Sequence, residues 1–299
     1  MNQCQDLHTV NDWIRYAYSR FNQAQLSFGH GNSNAWDEAV NLVLNRLSLP
    51  LDQLQPFLNC RLVQEEKMQV LGLIEKRIAT RQPLPYLTGE AWLQGYRFIT
   101  SNDVIVPRSP IAELLVEKLQ PWVADPYSDM RILDMCTGSA CLAIIAAMEF
   151  PNAQVDAVDI NEAAIALAQQ NIAEYELQDD ITLIQSDLFE QLANKVYDII
   201  ICNPPYVNAQ SMQNLPPEYQ HEPALALHGG TKGMDLVQKI LQQAPKHLTD
   251  DGFLVLEIGH EIDFFTEVFP QLQPIWLETA NSDDQIMLLQ RSHLLEAFA

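Results

Sequence analysis

The sequence MRILDMCTGSACLAIIAAMEFPNAQVDAVDI, residues 130–160, alternates two short apolar runs with a longer one. The runs at 131–135 and 154–160 have the length of strands, and the run at 140–150 has the length of a helix. A strand, a helix and a strand in this order form a crossover unit in which the two strands lie parallel. The stretch therefore predicts a parallel sheet with helices on its faces.

The same alternation continues towards the C-terminal end. Further strand-like runs occupy residues 181–185, 197–202, 253–258, 274–278 and 285–290. A helical run at 161–175 begins with Asn161, a residue type that caps helix N-termini. The last two strand-like runs lie close together, so we expect an antiparallel pair at the sheet. The predicted fold class is α/β, with a seven-stranded, doubly wound, Rossmann-like sheet whose last strand is antiparallel.

Residues 9–82 have a helical pattern instead. Apolar side chains recur at three- and four-residue spacing, at Val10, Trp13, Ile14, Ala17, Tyr18 and Phe21, at Ala39, Leu42, Val43 and Leu47, and at Met68, Leu71, Ile74 and Ile78. Prolines and glycines between residues 83 and 95 end this pattern and indicate a short hairpin. We therefore divide the chain into a helical domain at 1–82, a hairpin linker at 83–108 and an α/β domain at 109–299. Ser109 followed by Pro110 predicts a helix that extends to about residue 120.

Composition places the chain among globular proteins. It has 299 residues, of which 47% are hydrophobic and 19% charged, so it can bury a core. The longest apolar stretch, 140–148, is about half of the ~20 residues that cross a bilayer. The first residues show no basic and apolar signal segment, so we expect a cytoplasmic protein without membrane contact. Five cysteines without CxxC spacing predict reduced thiols and no metal site.

Charge is distributed unevenly along the chain. Residues 1–90 carry 8 basic and 9 acidic side chains, whereas residues 91–299 carry 9 and 30, which is a net charge of −21. A field this negative repels a phosphate backbone, so free nucleic acid is disfavoured as a substrate. A basic protein partner would be attracted. The alternative interpretation is that the acidic residues only keep the protein soluble.

The segment after the first strand has the character of a cofactor loop. It consists of Cys136, Thr137, Gly138, Ser139 and Ala140, and it leads from a strand directly into a helix. Such a turn presents backbone N–H groups where doubly wound sheets bind ligands. It lacks the GxGxxG pattern that allows a pyrophosphate to approach, so a cofactor without phosphates fits better.

Acidic residues follow the next two strands. Asp159 ends the second strand about 20 residues beyond Gly138, where a carboxylate can accept hydrogen bonds from ribose hydroxyls. Asp187 follows the third strand and precedes Leu188 and Phe189. A carboxylate beside apolar side chains suits an exocyclic amino group and the face of an adenine ring.

The fourth strand leads into Asn203-Pro204-Pro205-Tyr206. Two prolines fix the backbone and remove two N–H donors, which leaves a rigid turn with free carbonyl groups. A planar –NH₂ group has two donors, and the Asn203 side-chain oxygen and the Pro204 carbonyl could accept both. The Tyr206 ring could cover the plane of that group. The turn predicts a site that aims an amino or amide nitrogen at an electrophile beside Gly138.

Further motifs accompany this turn. They are Pro85-Tyr86-Leu87-Thr88-Gly89, Val106-Pro107-Arg108, Asp134 with Thr137-Gly138-Ser139, Val158-Asp159, Ser186-Asp187, and His221-Glu222-Pro223 with Ala226-Leu227. With them the chain resembles the amino-methyltransferases dependent on S-adenosylmethionine, and among these the HemK-related protein-(glutamine-N5) methyltransferases. The segments Gly29-His30-Gly31, Trp36-Asp37-Glu38-Ala39 and Pro107-Arg108-Ser109-Pro110-Ile111 resemble the branch that acts on large-subunit ribosomal protein L-three. Ala140 departs from the glycine expected in that branch.

The resemblance implies S-adenosylmethionine as cofactor and methyl transfer to the side-chain amide nitrogen of a glutamine. The implied cofactor-binding residues are Cys136, Thr137, Gly138, Ser139, Ala140, Asp159, Asp187, Leu188 and Asn203. Asn203, Pro204 and Tyr206 are implied to be catalytic, and Asn203, Pro204, Pro205 and Tyr206 to bind substrate. The implied partner is a basic protein, ribosomal protein L-three, with the helical domain as its recognition element.

Three alternatives stay open. Peptide chain release factors are the substrates of a related branch. A DNA adenine or cytosine amino-methyltransferase could use the same turn, although the acidic α/β domain argues against DNA binding. An inactive binding module with a methyltransferase fold is the third alternative, against which the intact Asp159, Asp187 and Asn203 argue.

Overall fold

The helical pattern predicted at 9–82 forms three α-helices in the computed structural model, which describes residues 4–280 and 282–298. They are α1 (Val10–Gln23), α2 (Ala35–Arg46) and α3 (Gln64–Thr80). The predicted hairpin linker begins instead with a short helix, α4 (Leu84–Thr88), before its hairpin. Thr9 caps α1 in a reciprocal capping box with Asp12, and the Asn34 side chain caps α2. Trp13, Phe21 and the apolar face of α2 form the core of this region.

Two residues of the predicted apolar faces are exposed. Tyr18 is 41% exposed and Met68 is 59% exposed. In α3 the buried positions are Val70, Ile74 and Arg77, which follow one another at the helical period, and Met68 lies off this stripe. The spacing of apolar residues alone did not show which face of α3 is buried.

The chain forms two compact units, and their boundaries differ from the sequence-based division. The helical unit extends to Ala91 and also contains Leu215–His221, whereas the α/β unit consists of Trp92–Asn214 and Glu222–Ala299. The predicted division ended the helical domain at residue 82 and assigned residues 215–221 to the α/β domain. Arg77 of α3 and Arg81 at its C-terminal end explain the difference for 215–221, because they pair with a glutamate of that segment.

That glutamate is Glu218, which is fully buried. Its carboxylate accepts a hydrogen bond of 3.0 Å from the Ser27 backbone N–H and lies 2.7 Å from Arg81 Nη2. Arg77, also fully buried, lies 3.6 Å from Glu218 and donates to Glu38 at 2.8 Å. A buried carboxylate is stable only when it is paired and hydrogen-bonded, so these contacts keep the segment in the helical unit.

The remaining strands and helices alternate along the chain. The strands are β1 (Glu90–Leu93), β2 (Tyr96–Ile99), β3 (Met130–Met135), β4 (Ala153–Asp159), β5 (Ile181–Gln185), β6 (Tyr197–Cys202), β7 (Leu248–Glu257), β8 (Ile275–Thr279) and β9 (Ser282–Gln290). The helices are α5 (Ile111–Val116), α6 (Cys141–Glu149), α7 (Glu162–Glu174), α8 (Ala209–Asn214), α9 (Asp235–Gln243), α10 (Ile262–Val268) and α11 (Arg291–Ala297). The hairpin of β1 and β2 is separate from the main sheet.

The main sheet has seven strands in the order β5-β4-β3-β6-β7-β9-β8. Strands β3 to β7 pair parallel, and β9, the last in sequence, is antiparallel to both β7 and β8. The predicted doubly wound α/β fold with an antiparallel last strand is confirmed. No helix in the described part of the chain combines the length and the apolar character needed to span a membrane.

Both faces of the sheet are buried. In β6, Ile199 and Ile201 belong to the core on one face, whereas Ile200 and Cys202 belong to the core on the other. Successive side chains of a strand point to opposite faces, so a continuous apolar run requires covering layers on both sides. The apolar runs of the sequence therefore predicted central strands correctly.

Helix α5 is shorter than the sequence predicts. It ends at Val116, because Lys118 and Leu119 adopt left-handed backbone conformations with φ of +60° and +51°. Ser109 accepts a hydrogen bond from the Ile111 N–H, as a residue before a helix does, but its hydroxyl donates to Glu257 at 2.5 Å. Ser109 thus bonds both to the first turn of α5 and to Glu257 at the carboxyl edge of the sheet.

Candidate active site

The two predicted site segments lie side by side at the carboxyl edge of the sheet. From β3 the chain winds outward through β4 to β5, and it then returns to β6 on the other side of β3. Ligands of doubly wound folds bind at this reversal of strand order. Met135 of β3 is in register with Cys202 of β6, so the loop that starts at Cys136 and the turn that starts at Asn203 leave adjacent positions.

Backbone hydrogen bonds fix the loop after β3. The Thr137 N–H donates to the Val158 carbonyl at 2.9 Å, and the Gly138 N–H donates to Asp159 Oδ2 at 2.9 Å. Gly138 has a φ of +57°, which glycine adopts without strain. Ala140 has a φ of +63° and is fully buried, so it adopts at some energetic cost the conformation that a glycine would adopt freely.

Asp134 lies under this loop with one oxygen unused. Its Oδ2 accepts hydrogen bonds from the Thr137 hydroxyl at 2.5 Å and from the Ala143 N–H at 3.0 Å. Its Oδ1 is buried and has no partner among the described residues. Burial raises the pKa of Asp134 to about 7, which the hydrogen bonds of Thr137 and Ala143 offset in part. A buried carboxylate oxygen without a partner requires an explanation, and a donor group of a ligand is one.

Asp159 accepts hydrogen bonds from the loop after β3 and can accept further ones from a ligand. Besides the bond from Gly138, its Oδ1 accepts the Asn161 N–H at 2.8 Å. Burial raises its pKa, and these N–H groups oppose the shift. Each carboxylate oxygen has two lone pairs, so the predicted bonds to two hydroxyl groups remain compatible with this geometry.

The residues after β5 are divided between surface and core. Asp187 is exposed, and its carboxylate makes no hydrogen bond with the described residues. Leu188 is buried at a φ of +48°. Phe189 stacks on His247 with ring centroids 4.7 Å apart, so this face of its ring is covered by another side chain. Asp187 is therefore the group of this segment best placed to meet a ligand.

The turn after β6 has free acceptors, as predicted. Asn203 is half-buried, and its side chain has no hydrogen-bond partner in the described part of the chain. Pro204 is buried, and its carbonyl accepts no hydrogen bond from any described residue. Tyr206 is half-buried, and its hydroxyl donates to Glu257 Oε1 at 2.9 Å. The turn thus places two unused acceptors and one fixed aromatic ring next to the loop of Gly138.

Three glycines let other backbone segments approach this turn. A Cβ at Gly229 would lie 2.7 Å from the Pro205 carbonyl oxygen, and a Cβ at Gly259 would lie 2.5 Å from Tyr206 Cε2. A Cβ at Gly233 would collide with the Tyr206 carbonyl oxygen. Hydrogen bonds from the Val207 N–H to Leu227 and from the Gly229 N–H to Val207 hold the same segment.

Glu257 is a site residue that the sequence analysis did not predict. It ends β7 and is 4% exposed, and burial raises its pKa to about 7 against the opposing hydrogen bonds of Ser109 and Tyr206. The signal in the sequence is an acid within the apolar stretch FLVLEIG, residues 253–259. A lone acid at the carboxyl end of an apolar strand is a candidate site residue.

An ion pair and a buried hydrogen bond order the polypeptide around the turn. Arg108 donates to both oxygens of Glu222, at 2.5 and 2.7 Å, and the Val106 N–H donates to the same carboxylate at 3.1 Å. Farther along the turn, Asn208 donates to Glu261 at 2.7 Å. Arg108, whose role was open from the sequence, therefore fixes the loop at Glu222.

Comparisons with known proteins agree with this geometry. Residues 110–216 match the methyltransferase small domain. The chain is 60% identical to the ribosomal protein uL3 glutamine methyltransferase of Bordetella pertussis, over 98% of either chain. It is 50% identical to that of Burkholderia pseudomallei, over 96% of this chain and 95% of the relative.

A solved structure supports the fold alone. It is the hMettl16 catalytic domain in complex with the MAT2A 3'UTR hairpin 6, with a TM-score of 0.51 and 14% identity over 76% of this chain and 81% of that one. The sequence resemblance to HemK-related glutamine methyltransferases is confirmed by the curated relatives. The chain belongs to the family of ribosomal protein uL3 glutamine methyltransferases.

Proposed function

We propose that this methyltransferase transfers a methyl group from S-adenosylmethionine to the side-chain amide nitrogen of a glutamine in ribosomal protein uL3. The observation that carries the proposal is a pair of acceptors, the Asn203 side chain and the Pro204 carbonyl, that have no partner among the described residues. They lie beside a loop over an Asp134 oxygen that also has no partner there. The names of the curated relatives support the substrate. The free thiols of all five cysteines agree with a cytoplasmic reaction.

The residues of the loop edge fit S-adenosylmethionine. Bound S-adenosylmethionine supplies an electrophilic methyl group on a sulfonium sulfur. Asp134 Oδ1 would accept from a donor such as its ammonium group, Asp159 from ribose hydroxyls and Asp187 from the adenine amino group. The loop has a single glycine and no second one at Ala140, which suits a cofactor without a pyrophosphate.

The Asn203 turn would position the amide nitrogen of the substrate. The Asn203 side-chain oxygen and the Pro204 carbonyl would accept its two N–H groups, which fixes both the nitrogen and the plane of the amide. An amide nitrogen is a weak nucleophile because its lone pair is delocalised into the carbonyl group. Two acceptors stabilise the positive charge that develops on this nitrogen as the new bond forms. The face of the Tyr206 ring adds a favourable interaction with that charge.

We also propose that the two units have different tasks. The α/β unit carries nearly all of the excess negative charge, which favours the encounter with a basic protein such as a ribosomal protein. The helical unit is close to neutral, and we assign to it the selection of the substrate.

The experiment incubates the purified protein with isotopically labelled S-adenosylmethionine and, in separate reactions, unmodified uL3, an unmodified release factor and duplex DNA. Peptide mass spectrometry locates label on the proteins, label on the DNA is counted, and calorimetry measures cofactor binding. The expected result is label on one glutamine of uL3 and none on the release factor. Label on the release factor alone would place the chain in the other branch, and label on duplex DNA would overturn the choice of a protein substrate. Absence of both label and cofactor binding would favour an inactive module.

A further inference from the structure

The carboxyl end of β7 carries a buried acid that the proposed chemistry leaves without a task. Both oxygens of Glu257 accept hydrogen bonds from hydroxyl groups, Oε2 from Ser109 at 2.5 Å and Oε1 from Tyr206 at 2.9 Å. Burying a carboxylate costs free energy that two hydroxyl donors return only in part. The raised pKa of Glu257 reports this cost. Stability of the fold therefore does not explain why a glutamate occupies this position.

The same strand end also fixes the Tyr206 ring. Gly259 lies two residues after Glu257, and a Cβ at this position would lie 2.5 Å from Tyr206 Cε2. The ring therefore packs against the glycine backbone while its hydroxyl is held by Glu257. Contacts at the hydroxyl end and along one edge leave the ring little freedom to rotate or tilt. The register of Cys202 with Leu256 sets this strand end directly beside the Asn203 turn.

We propose that Glu257 is a positioning residue for methyl transfer, which fixes the Tyr206 phenol and, with Ser109 on its second oxygen, the orientation of the ring over the substrate amide. The inference rests on the function proposed above, because the ring acts there on the glutamine amide. Glu257 touches neither substrate nor cofactor in this role and acts through Tyr206.

Above about pH 7, where Glu257 is mostly ionised, its charge adds to the effect of its geometry. A hydrogen bond from a phenol to a carboxylate is charge-assisted and stronger than one to a neutral acceptor. It also shifts electron density towards the ring, which strengthens the attraction between the ring face and a positive charge. A neutral acceptor in the same place would hold the hydroxyl less firmly and polarise the ring less.

The test compares E257Q, Y206F and the double variant in the full-length protein. The steady-state kcat and KM for uL3 and the Kd of S-adenosylmethionine by calorimetry are measured. We expect E257Q to lower kcat by about 10- to 100-fold, which is the effect of misplacing a reacting group by up to about 1 Å. The Kd of the cofactor should not change. In the Y206F background, E257Q should add little, because the hydroxyl that it holds is already absent. The exposed Glu267 gives the matched control, E267Q, which should retain the activity of the parent.

Two further measurements keep the test decisive. S109A leaves the carboxylate in place and removes one of its partners, so it should lower kcat in the same direction and less strongly than E257Q. In protein labelled with ¹³C at Cζ of tyrosine, the Tyr206 resonance, assigned with Y206F, should shift in E257Q and remain in place in E267Q. This readout reports the phenol hydrogen bond without requiring turnover.

The possible outcomes separate the inference from the proposed function. If the parent labels uL3 while E257Q retains the full kcat, or if E257Q and Y206F act independently, Glu257 has no positioning role. If the Tyr206 resonance does not respond to E257Q, the phenol is not held by Glu257 and the inference fails as well. If the parent does not label uL3, the proposed function fails, and the role assigned to Glu257 in it fails with it. The resonance then reports only whether the hydrogen bond exists.

Discussion

Asn203 is the residue on which the proposed chemistry depends most directly. Its side chain is half-buried and makes no hydrogen bond with the described residues, so its removal breaks no hydrogen bond among them. We expect N203A to lower kcat by about 10² to 10³-fold, as for the loss of one positioned polar group, and to leave most of the cofactor affinity. Kinetics with uL3 and calorimetry measure the two effects. N214A, at the exposed end of α8, is the control, and near-normal turnover of folded N203A would contradict the role.

Asp134 offers a test of cofactor binding that does not require turnover. D134N can keep an oxygen where Thr137 and Ala143 donate, and it then places an –NH₂ group at the position of the unpartnered Oδ1. If that oxygen accepts from the cofactor, the change creates a donor facing a donor, and the Kd of S-adenosylmethionine should rise at least about tenfold. Calorimetry measures it, and an unchanged Kd would remove Asp134 from the site. The melting temperature is not expected to fall, because a buried acid is neutralised.

Two buried glutamates should give opposite dependences of stability on pH. Burial raises the pKa of Glu257 to about 7, so the folded state binds more protons than the unfolded state, and Glu257 lowers the free energy of unfolding as the pH rises from about 4.5 to about 7. Burial also acts on Glu218, but the Ser27 N–H and Arg81 outweigh it and lower the pKa. Glu218 therefore contributes stability above about pH 4.5 that is lost as the pH falls through its folded pKa.

Urea unfolding at about pH 5 and about pH 8 measures this difference. Relative to the parent, E257Q should gain stability between the two pH values, whereas E218Q should be the less stable variant at both. Equal pH dependence of E257Q and the parent would mean that Glu257 has an ordinary pKa in the folded state.

The end of β7 packs directly against the turn after β6, where Gly259 contacts the Tyr206 ring. Their contact depends on the missing side chain of Gly259, whose φ of +53° is also unfavourable for other residues. G259A should displace the Tyr206 ring and lower kcat by about tenfold or more, in addition to a backbone strain of about 1–2 kcal/mol. Gly95 in the β1–β2 hairpin has a φ of +82° and open space around its Cβ position, so G95A isolates the strain. Equal activity of the two variants would show that the ring contact has no effect on turnover.

The whole molecule combines an acidic α/β unit with a nearly neutral helical unit. If the helical unit selects the substrate, deletion of residues 1–82 should abolish methylation of uL3 and preserve binding of S-adenosylmethionine. The deletion also removes Arg77 and Arg81, the partners of Glu218. E218Q in the full chain therefore serves as the comparison, since it weakens this anchor and retains the helical surface. Methylation of uL3 by the truncated protein at the normal rate would refute the selection role.

The sequence by itself determined the class of fold, and it predicted where the site lies. Continuous apolar runs such as Ile199 to Cys202 can be satisfied only by strands covered on both faces, because each run places apolar side chains on either side. Asn203-Pro204-Pro205-Tyr206 predicted free acceptors because proline chemistry is local: the rings fix φ and remove N–H groups wherever the turn lies. The sequence predicted that this turn faces the Gly138 loop, and the strand order of the tertiary structure places the two segments next to each other.

The tertiary structure alone decided which distant residues complete the site. Glu257 is 51 residues beyond Tyr206, and Ser109 lies 148 residues before Glu257. No local pattern encodes their contacts, because these depend on the register of β6 with β7. The same holds for Leu215–His221, which belongs to the helical unit because Glu218 finds its partners on and near α3. Side-chain pairing across the sheet and burial of charge are properties of the packed chain, and spacing along the sequence does not contain them.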